Sequence, residues 1–222
     1  MCSRSAKHQK PNPLPMPLLA FLKQQGIPSD WDLLLFGDGS GLKWDMGGGF
    51  ASFLIDRARG LREHIIGAIS KSTVNRMELS AYVHALAYHY HDILEGQITN
   101  PPFKVWIFSD SEFTVKTGQG HNRVKANGDL WSLVDWFETR GYRLNWRWVE
   151  RNSTPLGEMA DWLAGQARHA VNDLMLTSEE LYDLMPAIPA VMNAALVICE
   201  KCKTPRLPSE ACPVCGGEKC QT

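Results

Sequence analysis

The sequence predicts an α/β fold, a mixed five-stranded sheet flanked by helices, and three observations lead there. Leu33-Leu34-Leu35-Phe36-Gly37-Asp38-Gly39-Ser40 is a short apolar run ended by glycine, as a buried central strand would be, and it carries an acid at its tip. Residues 48–59 and 61–69 read as two strands separated at Gly60, an antiparallel hairpin. A helical pattern then intervenes before the next apolar run, residues 103–110, so that strand can return parallel to the first and bring its own terminal acid, Asp110, beside Asp38.

Taken in order, residues 1–17 contain prolines and lysines without periodicity and read as an unstructured tail. Residues 18–25 suit a short helix, which Gly26 and Pro28 end. After the hairpin, Asn75 can cap a helix running to about Leu94, on which Leu79, Val83, Leu86 and Tyr90 recur at helical spacing. Glu78 falls in its first turn, and His84, His89 and His91 on the same helix read as surface or partly buried residues rather than ligands.

Residues 111–117 suggest a short helix and residues 118–128 a polar loop; Asp129 is placed to cap a helix to about Arg140. Residues 143–149 alternate as a fifth strand, with Leu144, Trp146 and Trp148 on one face, read as core, and Asn145 and Arg147 on the other. Residues 157–171 make a final helix carrying Asp161. Residues 178–185 and 187–197 follow as two short helical pieces of a linker. The expected organisation is a tail and short helix (1–29), a main domain (30–172), a helical linker (173–197) and a cysteine module (198–222).

A chain of 222 residues accommodates one well-buried domain of about 140 residues plus appendages. No apolar run reaches the roughly 18 residues that span a bilayer, and no signal-peptide core follows the basic N-terminus, so a soluble, cytoplasmic protein with no membrane partner is expected. Four of the six cysteines form two Cys-x-x-Cys pairs, Cys199 with Cys202 and Cys212 with Cys215, a spacing that suits one structural zinc ion in a compact ribbon. Cys220 is a spare or a rival ligand for Cys215, Cys2 reads as free, and a ribbon of this kind serves nucleic acid or protein partners. With a net charge of −1, any grip on a polyanion must come from local clusters, Lys116, Arg123 and Lys125, then Arg140, Arg143, Arg147 and Arg151.

Four acids share a pattern. Asp38 ends the first strand in Asp-Gly-Ser, and Glu78 lies in Asn75-Arg76-Met77-Glu78-Leu79. Asp110 ends the fourth strand in Ser-Asp-Ser, and Asp161 lies in Ala-Asp-Trp-Leu-Ala, with Asp129-Leu130-Trp131 between those two. Each alone reads as a cap or turn residue. Together and in this order, over roughly residues 31–170, they resemble a type 1 ribonuclease H.

The resemblance implies an endoribonuclease that cuts the RNA strand of RNA/DNA hybrids, leaving 5′-phosphate and 3′-hydroxyl ends. Asp38, Glu78, Asp110 and Asp161 would hold two magnesium or manganese ions about 3.5 to 4 Å apart. Physically, four neighbouring carboxylates repel, and divalent cations resolve that cost. Gly39, Ser40, Asn75, Arg76, Ser111, Lys125 and Asn127 would contact the nucleic acid, and the chain is expected to act as a monomer.

Three departures from the family pattern stand out. Only residues 118–128 fill the place of a basic, tryptophan-containing handle. Residues 150–155 replace a loop with a mobile histidine, so Arg151 or Asn152 would serve instead. Glu112 stands where the family has glutamine. The rival readings are a weakly active hybrid- or RNA-binding adaptor, against which the intact acid set argues, and a DNA-acting nuclease of the same superfamily, disfavoured by the Asp-Gly-Ser and Arg-Met-Glu strings.

Overall fold

The computed structural model describes residues 16–43, 46–58, 61–96, 101–173, 197–198 and 205–206. Strand β1 (Leu33–Ser40) is buried along its length except at Ser40, because it is paired on both edges and covered on both faces. β2 (Gly48–Asp56) runs antiparallel to it, from Leu33 opposite Asp56 to Ser40 opposite Gly49, and β3 (Leu61–Ile69) runs antiparallel to β2. On the other edge β4 (Phe103–Ser109) is parallel to β1, and β5 (Tyr142–Trp148) is parallel to β4. The order β3-β2-β1-β4-β5 is the mixed five-stranded sheet the sequence implies.

Helix α2 (Val74–Leu94) covers one face and α1 (Met16–Gln24) with the start of α5 (Pro155–Asp173) the other. α3 (Glu112–Gly118) and α4 (Gly128–Thr139) pack on the α2 side. The close approach of α2 to β1 explains Gly39: a Cβ there would lie 2.1 Å from the backbone nitrogen of Glu78. On the opposite face Leu18, Phe21 and Leu22 of α1 pack on Leu34, Phe36 and Phe108. Phe36 and Phe108 stack at 4.7 Å across the β1–β4 pair, and Phe21 meets Phe108 edge-on at 5.4 Å, the geometries that aromatic quadrupoles favour. Residues 197–198 and 205–206 form a separate two-stranded pairing, β6 (Val197–Ile198) with β7 (Pro205–Arg206). Among the described residues no helix is long and apolar enough to cross a membrane.

Four local expectations change. α2 begins at Val74 and its cap is Thr73, in extended conformation with its hydroxyl accepting from Arg76 N, so Asn75 lies inside the first turn and is no cap. The cap position of α4 is Asn127 in left-handed conformation (φ 56°), without a side-chain capping bond, so Asp129 lies inside the first turn and is no cap, its carboxylate bonded by Arg76. Trp148 is 50% exposed rather than core, since it stands at the end of an edge strand beyond the cover that buries Trp146. His89 is fully buried: its Nδ1 lies 2.8 Å from Tyr142 Oη, which satisfies one ring nitrogen, while its Nε2 lies 3.5 Å from Asp56 Oδ2 without a hydrogen bond. His91 is partly exposed and His84 partly buried, as expected, with the imidazole Nδ1 of His84 enclosed.

Candidate active site

The parallel register of β1 and β4 sets Phe36 opposite Phe108, so two residues further on Asp38, still paired with Ala51 of β2, stands beside Asp110 just past the end of β4. Tyr82 of α2 pins both tips: its hydroxyl lies 2.7 Å from Gly37 O and 2.9 Å from Phe108 O and shares its proton between them. Glu78, one helical turn into α2, reaches the same place because Gly39 lets the helix backbone against the strand. Asp38, Glu78 and Asp110 each bring a carboxylate oxygen within 4.8 Å of the others. Asp38 and Glu78 are only 5% and 6% exposed. Gly39 N donates to Asp38 Oδ1 at 2.8 Å, whereas Glu78 Oε2 is buried without a hydrogen-bond partner among the described residues.

Asp161, on α5, lines the same pocket as Asp38 and Asp110, outside the group of three, and is more open. Its Oδ1 accepts from Arg151 Nη2, whose Nε also lies 3.8 Å from Asp110 Oδ2. The four acids differ accordingly. Burial pushes the Asp38 carboxyl up to about 7, with a hydrogen bond to Asp161 and the charge of Asp110 adding to the rise. Burial and then the charge of Asp38 push Glu78 well above the ordinary carboxylate value. Asp110 is raised by burial against the pull of Arg151. For Asp161 burial pushes up too, but hydrogen bonds with Asp38 and Arg151 outweigh it and hold the group below its ordinary value.

The donor set fits a divalent cation. It consists of hard oxygens converging on one point, one of them buried and without a hydrogen bond among the described residues, and burial makes their joint ionisation unfavourable unless positive charge is present.

The structure disposes the other expected residues unevenly. Gly39 and Ser40 close β1 at the rim of the carboxylate group. Arg76 forks onto Asp129, with Nη1 2.9 Å from Oδ1, and donates to Asn127 Oδ1 at 3.5 Å, so Asn75, Arg76 and Asn127 form one neighbourhood where the N-termini of α2 and α4 meet. Against the effect of burial, Arg76 holds the Asp129 carboxyl below its ordinary value. The Ser111 hydroxyl caps α3 and donates to Thr114 Oγ1. Lys125 is exposed in the loop before α4. Lys116 pairs with Glu112, Arg140 stacks on Trp136 and Arg147 reaches Gln25 of α1, which leaves those basic residues locally engaged. Asn152 adopts φ 57° in the turn that carries Arg151. Cys199, Cys202, Cys212 and Cys215 lie outside the described residues.

Two positioning contacts escape sequence reasoning. Tyr82 reads as one more core position of a helix, and Trp148 Nε1, which donates to Asp110 O at 3.1 Å, reads as core by alternation. The usable signal for Trp148 is register: it pairs with Ser109, directly before Asp110.

The RNase H family model matches residues 30–169. The chain belongs to the RNase H family. Membership makes it an enzyme, a nuclease of the hydrolase class. Among curated relatives, Ribonuclease H of Polaromonas sp. (strain JS666) is 30% identical over 158 residues, 64% of this chain and 92% of that protein. Ribonuclease H of Xanthomonas euvesicatoria pv. vesicatoria is 31% identical over 157 residues, 64% of this chain and 95% of that protein. The fold is shared with the N-terminal RNase H domain of a Mycobacterium tuberculosis protein, with TM-score 0.52 and 19% identity, covering 65% of this chain and 98% of that one. It is shared also with LC11-RNase H1, solved in complex with an RNA/DNA hybrid, with TM-score 0.52 and 19% identity over 63% of this chain and 98% of that one. The RNase H match takes in all four acids.

Proposed function

We propose that the chain hydrolyses the RNA strand of RNA/DNA hybrids and that Asp38, Glu78, Asp110 and Asp161 hold two divalent cations, magnesium or manganese, for that reaction. The observation that carries this reading is the convergence of the buried Asp38 and Glu78 with the partly buried Asp110, Glu78 Oε2 making no hydrogen bond among the described residues. The curated relatives are named Ribonuclease H, and a structural relative was solved on a hybrid, which supports the choice of substrate. The cations would supply Lewis-acid stabilisation of the charge on the phosphodiester and lower the pKa of an attacking water.

The chain's own residues supply position. Asp38 and Asp110 stand on strand tips tied together by Tyr82, and Asp38 is fixed further by Gly39 N, so the carboxylates are held by rigid elements rather than by loops. Asp161 enters from α5, an independent element, and can close on the site from outside. In the reaction, water oxygen bonds to phosphorus as the bond to the 3′ oxygen breaks, giving 5′-phosphate and 3′-hydroxyl ends. Gly39, Ser40, Asn75, Arg76, Ser111, Lys125 and Asn127 make the nucleic-acid contacts, with the 2′-hydroxyl marking the strand to be cut. One zinc ion, held by Cys199, Cys202, Cys212 and Cys215, orders the C-terminal segment as a ribbon, and Lys201, Lys203, Arg206 and Lys219 give that ribbon grip on the hybrid.

The test is cleavage of labelled hybrid, single-stranded RNA, duplex RNA and duplex DNA, with magnesium or with chelator. Hybrid alone is cut, and only with the cation. Asp38→Asn and Asp110→Asn each lower hybrid cleavage by orders of magnitude with an unchanged circular dichroism spectrum. Near-normal cleavage by either variant overturns the assignment, and binding of hybrid without cleavage by the unmodified chain replaces it with the adaptor reading.

A further inference from the structure

The turn between β5 and α5 is fixed while its longest side chain is not. Ser153 N bonds back to Glu150 O, Asn152 takes φ 57°, and the Thr154 hydroxyl accepts from Gly157 N at 2.9 Å to start α5. Arg151 in that turn has a side chain 64% exposed, and its guanidinium bridges Asp161 and Asp110. The cluster of Asp38, Glu78 and Asp110 is complete without Asp161. The fourth carboxylate is therefore the one hydrogen-bonded to a cation of the protein itself, while Asp110 lies within looser reach of the same guanidinium at 3.8 Å.

We propose that Arg151 is a built-in counter-ion that competes with a divalent cation for Asp161, so that the site loads in two steps. The first ion enters the Asp38–Glu78–Asp110 cluster with Arg151 in place, and the second binds only as the guanidinium lets Asp161 go. The inference rests on the reading that the four carboxylates hold divalent cations.

Three observations support it. A guanidinium bonded to Asp161 Oδ1 and a dication on the same carboxylate occupy one place with like charge, so they exclude each other. The groups facing Arg151 are Asp161, Asp38 and Asp110, all attractive, and Arg168 also acts on Asp161, so releasing Arg151 strands no buried cation and leaves the carboxylate one positive neighbour. Exposed ion pairs are weak, and an arginine this open exchanges its partner for water at small cost, which lets a dication win. An arginine placed as a permanent structural tie would be expected to be buried and to hold more than one fixed partner at bonding distance. Here only the contact to Asp161 is a hydrogen bond, and Asp110 lies at 3.8 Å.

The experiment is a manganese titration of the full chain, with zinc present, following free Mn2+ by electron paramagnetic resonance. The unmodified protein, Arg151→Ala, Arg151→Lys, Asp161→Asn and Asp38→Asn are compared. Arg151→Ala tightens the weaker class of sites about tenfold, the scale of an exposed ion pair plus the like-charge repulsion it relieves, and tightens the other class less, because Asp110 lies 3.8 Å from Arg151 without a hydrogen bond. Arg151→Lys keeps the charge without the fork and falls between, and Asp161→Asn abolishes the weaker class. A weaker class that emerges only in Arg151→Ala supports the proposal equally.

Thermal unfolding gives a second readout. In chelator Arg151→Ala melts below the unmodified protein, and saturating manganese closes that gap, whereas a purely structural arginine would leave the gap open in both. A weaker class that is unchanged or loosened in Arg151→Ala overturns the proposal while leaving cation binding intact. Failure of the unmodified protein to bind manganese any better than Asp38→Asn does overturns instead the cation reading beneath it.

Discussion

With divalent cations removed by chelator, raising the pH from about 4 to about 7 costs the protein stability that Asp38→Asn does not lose. A carboxyl whose folded-state pKa is raised binds more protons folded than unfolded between the two values. Its contribution is present in full below the unfolded value of 3.8 and is lost as the pH climbs through about 7. At about 1.4 kcal/mol per pH unit, the raised pKa of Asp38, the net of burial and its neighbours, amounts to on the order of 4 kcal/mol. Glu78, raised by burial and by Asp38, acts in the same direction. His84 acts in the opposite one: burial, and then the charge of Arg76, hold its pKa down at about 4, so unfolding takes up a proton between there and 6.5 and stability rises with pH. Asp161, held below its ordinary value, loses its contribution only at more acid pH than this window. His84 is common to both proteins, so the difference between their curves isolates Asp38 together with the part of Glu78's rise that Asp38 causes. Urea unfolding followed by the fluorescence of the buried Trp131 and Trp146 measures it, and saturating magnesium should flatten the decline. Parallel curves for the two proteins, or an unmodified chain that gains on Asp38→Asn with pH, would refute the reasoning.

Tyr82→Phe leaves Gly37 O and Phe108 O without their shared donor and should lower unfolding stability by about 1 to 3 kcal/mol in urea titrations. Because the hydroxyl ties the two strand tips, the same variant should weaken manganese binding at the Asp38–Glu78–Asp110 cluster, measurable in the same titration. Atomic absorption should find about one zinc per chain, and Cys202→Ser should lose it without moving the melting of the sheet domain.

What the sequence made legible is what local pattern encodes. The run Leu33 to Asp38 could only be a buried strand, and a helix between it and the run ending at Asp110 made the two strands parallel, so the tip acids met as expected. What stayed hidden depends on partners far along the chain. Nothing near His89 announces Tyr142, which satisfies one of its ring nitrogens in the core. Asp129 looks like a cap, yet the cap position falls on Asn127, and Arg76, 53 residues before Asp129, bonds the carboxylate. Alternation in β5 places Trp148 on the correct face but is silent on where the covering helices stop, and so it mistakes an exposed residue for core. Arg151 was visible as a substitute for a loop histidine, while its bridge to Asp161 and Asp110 needed the fold that brings β4, the turn and α5 together.

Helix α1 lies entirely before residue 30, where the family match begins, yet it supplies Leu18, Phe21 and Leu22 to the layer over Leu34, Phe36 and Phe108. A protein cut to the boundary drawn from its relatives would lift the lid from a stacked aromatic pair lying one turn of chain beneath Asp38 and Asp110. Such a fragment would present a sticky apolar face directly behind its reactive one. Anyone preparing the nuclease domain alone should begin at or before Met16, and poor solubility of a shorter piece would speak of a missing layer rather than of a faulty enzyme.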